Sequence, residues 1–159
     1  MQTIDQIDPK RFVQMKVVGN VLSLYLSPLQ SAFPEKREEI KCDRRGVQGD
    51  RHYNSDIDRS VLITTKESYH LARNNGIALS YGVLGENLLI DYNPYHLPPG
   101  QRLLIGEVLL EVSQLCPLCR HLSHIDKALP KLLQNNRGVF MKVIEPGTIK
   151  AGDSITLLF

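Results

Sequence analysis

The sequence predicts one mainly β domain, a barrel or sandwich carrying two or three short helices. Three observations carry that prediction. Short β-branched or alternating apolar runs recur along the chain, Gly and Pro clusters separate them, and only two stretches read as helical. At 159 residues, 42% of them hydrophobic, the chain is long enough to bury a core without disulfide staples. There is no repeat and no low-complexity tract, so residues 11–159 read as one domain behind a loose polar leader, residues 1–10.

The elements follow in order. From Arg11 to Leu26 the chain is apolar with polar interruptions, and Val13, Met15 and Val17 alternate with Gln14 and Lys16. That pattern predicts one long strand, or two with a bend at Gly19-Asn20. Ser27–Phe33 is a loop, and the charged segment Pro34–Glu39 leads into a short strand at Glu39–Cys42. Asp43–Asp58 is rich in Gly, Asp, Arg and Asn and too long for a tight turn, which marks it as a loop with a function. Ser60–Thr65 is β-branched and apolar, a buried strand. Thr64 followed by Glu67 predicts a capping box opening a helix that stops near Gly76. Leu84–Asp91 reads as a strand, and Pro98-Pro99-Gly100 and Gly106 delimit two more, Arg102–Ile105 and Glu107–Gln114. His121–Asn135 has helical periodicity, but Pro130 clashes in a helix interior, so two short helices are predicted with Pro130 in the first turn of the second. Gly138–Glu145 and Ser154–Leu158 close the fold, with turns at Pro146-Gly147 and Gly152-Asp153.

Composition narrows the function classes. A net charge of +2 is too small for wholesale nucleic-acid binding. No apolar run approaches the ~20 residues that span a bilayer. Met1–Lys10 is polar and mixed in charge, unlike a secretory signal. Three cysteines cannot all pair within one chain, so they are expected as thiols, thiolates or ligands in a reducing cytoplasm.

Cys116-Pro117-Leu118-Cys119-Arg120-His121-Leu122-Ser123-His124 concentrates soft, ionisable ligands after a strand. Cations at Arg120 and His121 favour a thiolate at Cys119, which suits it to attack an electrophile, carry sulfur or bind a soft metal. An isolated cysteine more often packs as a small hydrophobe; it is the company of Cys116, His121 and His124 that tips this one towards function. Cys116 and Cys119 have the spacing of a redox pair, but such a pair ordinarily opens a helix in a βαβ setting. A zinc site of Cys116, Cys119, His121 and His124 has a tetrahedral donor set, yet one residue between Cys119 and His121 leaves the chain little room to fold around an ion.

Two other stretches carry polar chemistry. In Arg44-Arg45-Gly46-Val47-Gln48-Gly49-Asp50-Arg51-His52, two glycines let amides turn inward and three arginines supply forked donors, a pattern that suits a phosphate. A surface turn is the bland alternative for such a Gly-x-x-Gly. No Gly-Lys-Ser/Thr follows, which excludes a P-loop. In Gly82-Val83-Leu84-Gly85-Glu86-Asn87-Leu88, Gly85 predicts a kink, and Glu86 and Asn87 place polar groups either at a site or in bonds to neighbouring loops.

Taken in order, Arg45–His52, Asp58-Arg59-Ser60-Val61, Gly85-Glu86-Asn87-Leu88, Leu97–Gly106 leading into Leu110–Gln114, Cys119, Gly138–Val143 and Gly147–Asp153 resemble the MOSC domain, the C-terminal domain of molybdenum cofactor sulfurases. The resemblance runs from about Val17 to the C-terminus. It implies a β-barrel with short flanking helices and a role around the molybdenum cofactor, a pterin dithiolene bearing a phosphate. It also implies that Cys119 carries sulfur or ligates molybdenum. Arg44, Arg45, Gly46, Gly49, Asp50, His52, Arg59, Glu86 and Asn87 are then the expected cofactor-binding set. Cys116 lies where the family does not usually place a cysteine, which makes it a candidate accessory in a disulfide or persulfide relay. Asn54-Ser55-Asp56-Ile57 stands where some members have His-Gly-Gly. These residues leave no room for a pyridoxal-phosphate desulfurase domain, nor for the N-terminal β domain of the reductase members. They also hold no flavin or nicotinamide fingerprint.

Three readings follow from the resemblance and the residues. In the first, Cys119 is the thiolate ligand of a molybdenum-dependent reductase of N-hydroxylated compounds, served by an external electron donor. In the second, Cys119 holds a persulfide delivered by a cysteine desulfurase, and Cys116 resolves it. The third is a small zinc-stabilised protein.

Overall fold

The computed structural model describes residues 14–117 and 120–159, so Cys119 and the leader lie outside the described residues. In chain order the strands are β1 (Met15–Leu26), β2 (Glu35–Arg37), β3 (Glu39–Asp43), β4 (Gly46–Val47), β5 (Val61–Thr65), β6 (Leu88–Ile90), β7 (Arg102–Ile105), β8 (Val108–Leu115), β9 (Val139–Glu145), β10 (Gly147–Lys150) and β11 (Ser154–Leu158). Three short helices, α1 (Lys66–Asn74), α2 (Arg120–Ile125) and α3 (Leu129–Leu132), flank them among the described residues. Pairing runs β11-β7-β8-β9-β5-β6-β1, and β11 returns to pair with β1, which closes a seven-stranded barrel. A short β2 extends the sheet from β1, and β10, β3 and β4 form a second small sheet. The expected β-barrel class is therefore the observed one.

Period-two patterning builds the barrel interior. Val108, Leu110 and Val112 of β8 and Val139, Met141 and Val143 of β9 are all buried, while the residues between them on β9 are half-exposed. They meet Val21, Leu24, Ile63, Leu88, Ile105 and Ile155 in one apolar cluster. Burial of such side chains contributes roughly 1.5–3 kcal/mol each before entropy is counted. Cys42 belongs to this core: its thiol is pushed up to about 12 by burial, so it packs and does not react. A second cluster, Tyr25, Tyr69, Ala72, Leu84, Leu89, Leu122, Leu129 and Leu133, fixes the helices to the barrel wall.

The long first strand is one element, as its alternation predicts, with register shifts between Val17 and Gly19 and between Val21 and Ser23. These irregularities let one strand pair with β11 at one end and with β6 and β2 at the other. Pro130 lies in the first turn of α3, as expected. Other expectations shift. Thr65, not Thr64, is the N-cap of α1 and makes no side-chain cap bond; Thr64 instead donates its hydroxyl to the Arg137 carbonyl at 3.0 Å, and Glu67 accepts from Asn93. The strand expected at Leu84–Asp91 contracts to β6, because its first residues form a turn. β5 and β6 pair in parallel through α1, a crossover inside an otherwise antiparallel barrel. Strand β10 continues past the turn expected at Pro146-Gly147 and pairs with β3.

Candidate functional site

A cavity of about 580 Å³ opens where three segments that are distant in sequence meet. The loop after β4 contributes Arg51, His52, Ser55, Asp56 and Arg59; the turn before β6 contributes Gly82, Val83, Gly85 and Asn87; the end of β8 contributes Cys116 and Pro117. Ala32, Phe33 and Pro34 form a further wall, and His121, Arg137 and Phe140 complete the lining.

Asp50 organises the rim. Its buried carboxylate accepts from the Ser27 amide at 2.9 Å, from the His52 amide at 3.1 Å and ring Nδ1 at 3.2 Å, and from Asn87 Nδ2 at 3.4 Å. Burial pushes this carboxyl up, but the bonds from His52 and Ser27 outweigh burial and hold it below the usual carboxylate range. Asn87 ties the same place to the barrel. Its Oδ1 accepts from the Leu62 amide at 3.1 Å, and its Nδ2 donates to the Tyr25 carbonyl at 3.3 Å. One loop, one turn and two strands are thereby locked together by two polar side chains.

The glycines of the turn have a steric reason. Gly82 has φ +93°, and a Cβ there would stand 2.9 Å from the Tyr25 ring. Gly85 has φ +92° and also needs the left-handed region. Gly82→Ala is expected to lower stability by about 1–3 kcal/mol through strain and overpacking, read as a lower urea midpoint with an unchanged m-value.

Other expected residues fall elsewhere. Arg44 reaches the Ile144 carbonyl at 3.2 Å, and Arg45 is exposed, with its amide bonded to Asp43. Gly46 is buried in β4, opposite Asp43, and Gly49 lies under Leu26. The amides of Gln48 and Asp50 donate to the carbonyls of Lys41 and Val47. The loop's inward amides therefore close the turn rather than face the cavity. Glu86 is buried beneath the turn, where its carboxyl meets the Tyr69 hydroxyl at 2.6 and 2.8 Å and the Gly82 amide at 3.1 Å. Of the expected binding set, His52, Arg59 and Asn87 line the cavity, and Asp50 stands directly behind His52. Cys116 lines it too, with its amide donating to the Gly138 carbonyl at 2.8 Å. Among the described residues no group of three or more His, Cys, Asp or Glu is placed to hold a metal ion.

The family model of the MOSC domain matches residues 46–156. The chain belongs to the MOSC domain family. Comparison with curated proteins gives no match. Among solved structures, the YuaD protein from Bacillus subtilis is similar over 91% of this chain and 98% of its own, with TM-score 0.79 and 17% identity. YiiM from Geobacillus stearothermophilus aligns over 92% of this chain and 76% of its own, with TM-score 0.67 and 16% identity. YiiM from Escherichia coli aligns over 88% and 70%, with TM-score 0.66 and 22% identity. At these identities the likeness establishes the fold.

In this MOSC domain the cavity wall is cationic, with Arg51, Arg59 and Arg137 set against the carboxylate of Asp56. Such a wall favours an anionic ligand. Arg59 is held in place: its guanidinium carbon lies 5.3 Å from the Phe140 ring centroid, and the Gln114 side-chain oxygen, turned towards it, accepts from its Nη2 at 3.0 Å. Arg51 Nη2 donates to the carbonyls of Pro28 at 3.1 Å and Ser31 at 2.6 Å, pinning the wall that carries Phe33. Arg137 and Phe140 were not candidates from sequence. Arg137 is buried and donates to the carbonyls of Leu84 at 3.0 Å and Pro117 at 3.4 Å, joining the glycine turn to the end of β8. Its only signal in the chain is a lone cation next to Gly138, just before an apolar strand. No helix among the described residues is long and apolar enough to cross a membrane.

Proposed function

We propose that this MOSC domain binds the molybdenum cofactor in the cavity, with Cys119 as thiolate ligand, and reduces an N-hydroxylated compound with electrons from a separate protein. The observation that carries this reading is the convergence of the three motif-bearing segments on one cationic cavity. By covalent connectivity, Cys119 is two residues from each of Pro117 and His121, which both line that cavity.

The residues present fit the group. A volume of about 580 Å³ lies inside the range of small-molecule sites, ~300–1,000 Å³. Guanidiniums are the natural partners of a phosphate, and the side-chain-free turn at Gly82 and Gly85 lets a planar ring approach backbone. Arg59, positioned by Phe140 and Gln114, and Arg51 are the residues to hold the phosphate. Asn87 and Arg137 keep the turn and the end of β8 in register. When bound, the cofactor supplies two-electron chemistry that no protein side chain offers.

The test is metal and pterin analysis of the purified native protein and of Cys119→Ala. Stoichiometric molybdenum and pterin in the native protein, with molybdenum lost in the variant, is the expected result. Equal molybdenum in both refutes thiolate ligation. Cys116, buried and lining the same cavity three residues before Cys119, favours one second reading, that of a persulfide carrier supplied by a cysteine desulfurase. That reading predicts a reductant-labile gain of one sulfur in intact mass, absent in Cys119→Ala and without molybdenum.

A further inference from the structure

We propose that His52 is the proton-transfer residue of the cavity, with Asp50 as its positioning residue. The His52 side chain is 70% exposed and lines the cavity, whereas the Asp50 carboxylate that holds it is only 5% exposed. An ion pair with one member this exposed contributes little to stability, so packing gives little reason for the ring to be fixed. Yet one oxygen, Asp50 Oδ2, holds both the His52 backbone, through its amide at 3.1 Å, and the ring, through Nδ1 at 3.2 Å. An ionised Asp50 accepts only, so Nδ1 carries the hydrogen and the Nε2 lone pair is presented outward, with no protein partner among the described residues. This is the arrangement in which a buried carboxylate sets the tautomer and orientation of a histidine ring.

His121, the other histidine in the lining, lacks such a device. Its Nε2 is 3.3 Å from the Val83 carbonyl, and no carboxylate among the described residues bonds its ring. Arg51, Arg59 and Arg137 present guanidinium donors only, with no lone pair to accept a proton.

The inference deepens the function proposed above and depends on it for the identity of the substrate. Reduction of an N-hydroxylated amine to the amine and water consumes two electrons and two protons, and breaks the N–O bond. The electrons come from the external donor protein. His52 first takes a proton from solvent at Nε2 through its exposed edge and passes that proton to the departing oxygen, which leaves as water. The second proton reaches the nitrogen from solvent, and the ring returns to its Nδ1–H form.

Two measurements test it. Nitrogen-15 NMR of the histidine rings in the unloaded protein is expected to find His52 protonated at Nδ1, with that preference lost in Asp50→Asn. A native His52 protonated at Nε2 instead overturns the inference without any assay of activity. In molybdenum-loaded protein, with phenylhydroxylamine as probe, His52→Ala is expected to lower kcat about 100-fold or more. Metal content and KM should hold, and added imidazole should restore part of the rate. Unchanged turnover, a loss that imidazole does not restore, or loss of molybdenum in His52→Ala each overturns it. If the native protein holds no molybdenum, the cofactor reading fails by itself, and the tautomer measurement still decides the role of Asp50 and His52.

Discussion

Asp50→Ala is expected to cost about 2–4 kcal/mol of folding stability and to loosen the cavity rim. The carboxylate it removes accepts four hydrogen bonds, and two of the donors, the Ser27 amide and Asn87 Nδ2, are in a buried or half-buried setting. Each donor left without a partner carries a penalty of about 1–3 kcal/mol, whereas exposed His52 turns to water at little cost. For a chain of this size the melting temperature should fall by about 5–15 °C. The pH dependence separates this loss from a generic cavity. Asp50 titrates below its ordinary value of 3.8 in the folded chain, so its contribution is complete above that value and is lost as pH falls through the lower folded pKa. The stability gap between native protein and Asp50→Ala should therefore shrink in acid. Chemical denaturation at pH 7 and at successively lower pH measures it, and a gap constant with pH would show that the carboxylate's bonds are not the source.

Asp50 also marks the limit of what sequence makes legible. Barrel strands announce themselves by alternation, because Val139, Met141 and Val143 must all face inward whatever their partners are. The order of the glycine and polar stretches points to the right three segments. It does not say which side chains of a segment reach the cavity. Arg44 and Arg45 look like the strongest anion donors, but the two-residue pairing of β4 with β3 directs Arg44 to the Ile144 carbonyl and leaves Arg45 exposed. The glycine loop looks like an amide cradle, but its amides close onto Lys41 and Val47. Arg137 is the converse case: an ordinary cation in sequence, it enters the wall because the pairing of β9 with β8 and β5 puts the residues before Val139 beside the end of β8. Such outcomes depend on register between distant strands, and local pattern carries no information about that register. Thr64 and Thr65 differ by one residue, and the Thr64 hydroxyl is taken by the Arg137 carbonyl while Thr65 stands at the N-cap of α1.

Tyr69→Phe is expected to be comparably damaging, with the opposite response to pH. The Tyr69 hydroxyl meets both carboxyl oxygens of Glu86 and accepts from the amides of Gly82 at 3.0 Å and Leu84 at 3.3 Å. Deleting it leaves the Leu84 amide without that partner and strips Glu86 of its main side-chain contact, at a combined cost of about 3–5 kcal/mol. Burial already pushes Glu86 above its ordinary 4.5, against the opposing bond from Tyr69, the Gly82 amide and the charge of Arg137. A folded pKa raised above the unfolded one means the folded chain holds its proton more tightly. Stability from this group is thus full below about pH 4.5 and declines as pH rises towards the folded value. Removing the hydroxyl removes the largest opposing effect, so the decline in Tyr69→Phe should run to higher pH and reach a greater depth than in the native protein. Glu86→Gln, which cannot ionise, should abolish that segment of the curve. Denaturation curves for the three proteins at intervals from pH 4 to 9 measure the difference, and parallel curves for all three would place the titrating group elsewhere. Because Gly82 and Gly85 line the cavity directly above this pair, the same variants should weaken ligand retention in step with their loss of stability.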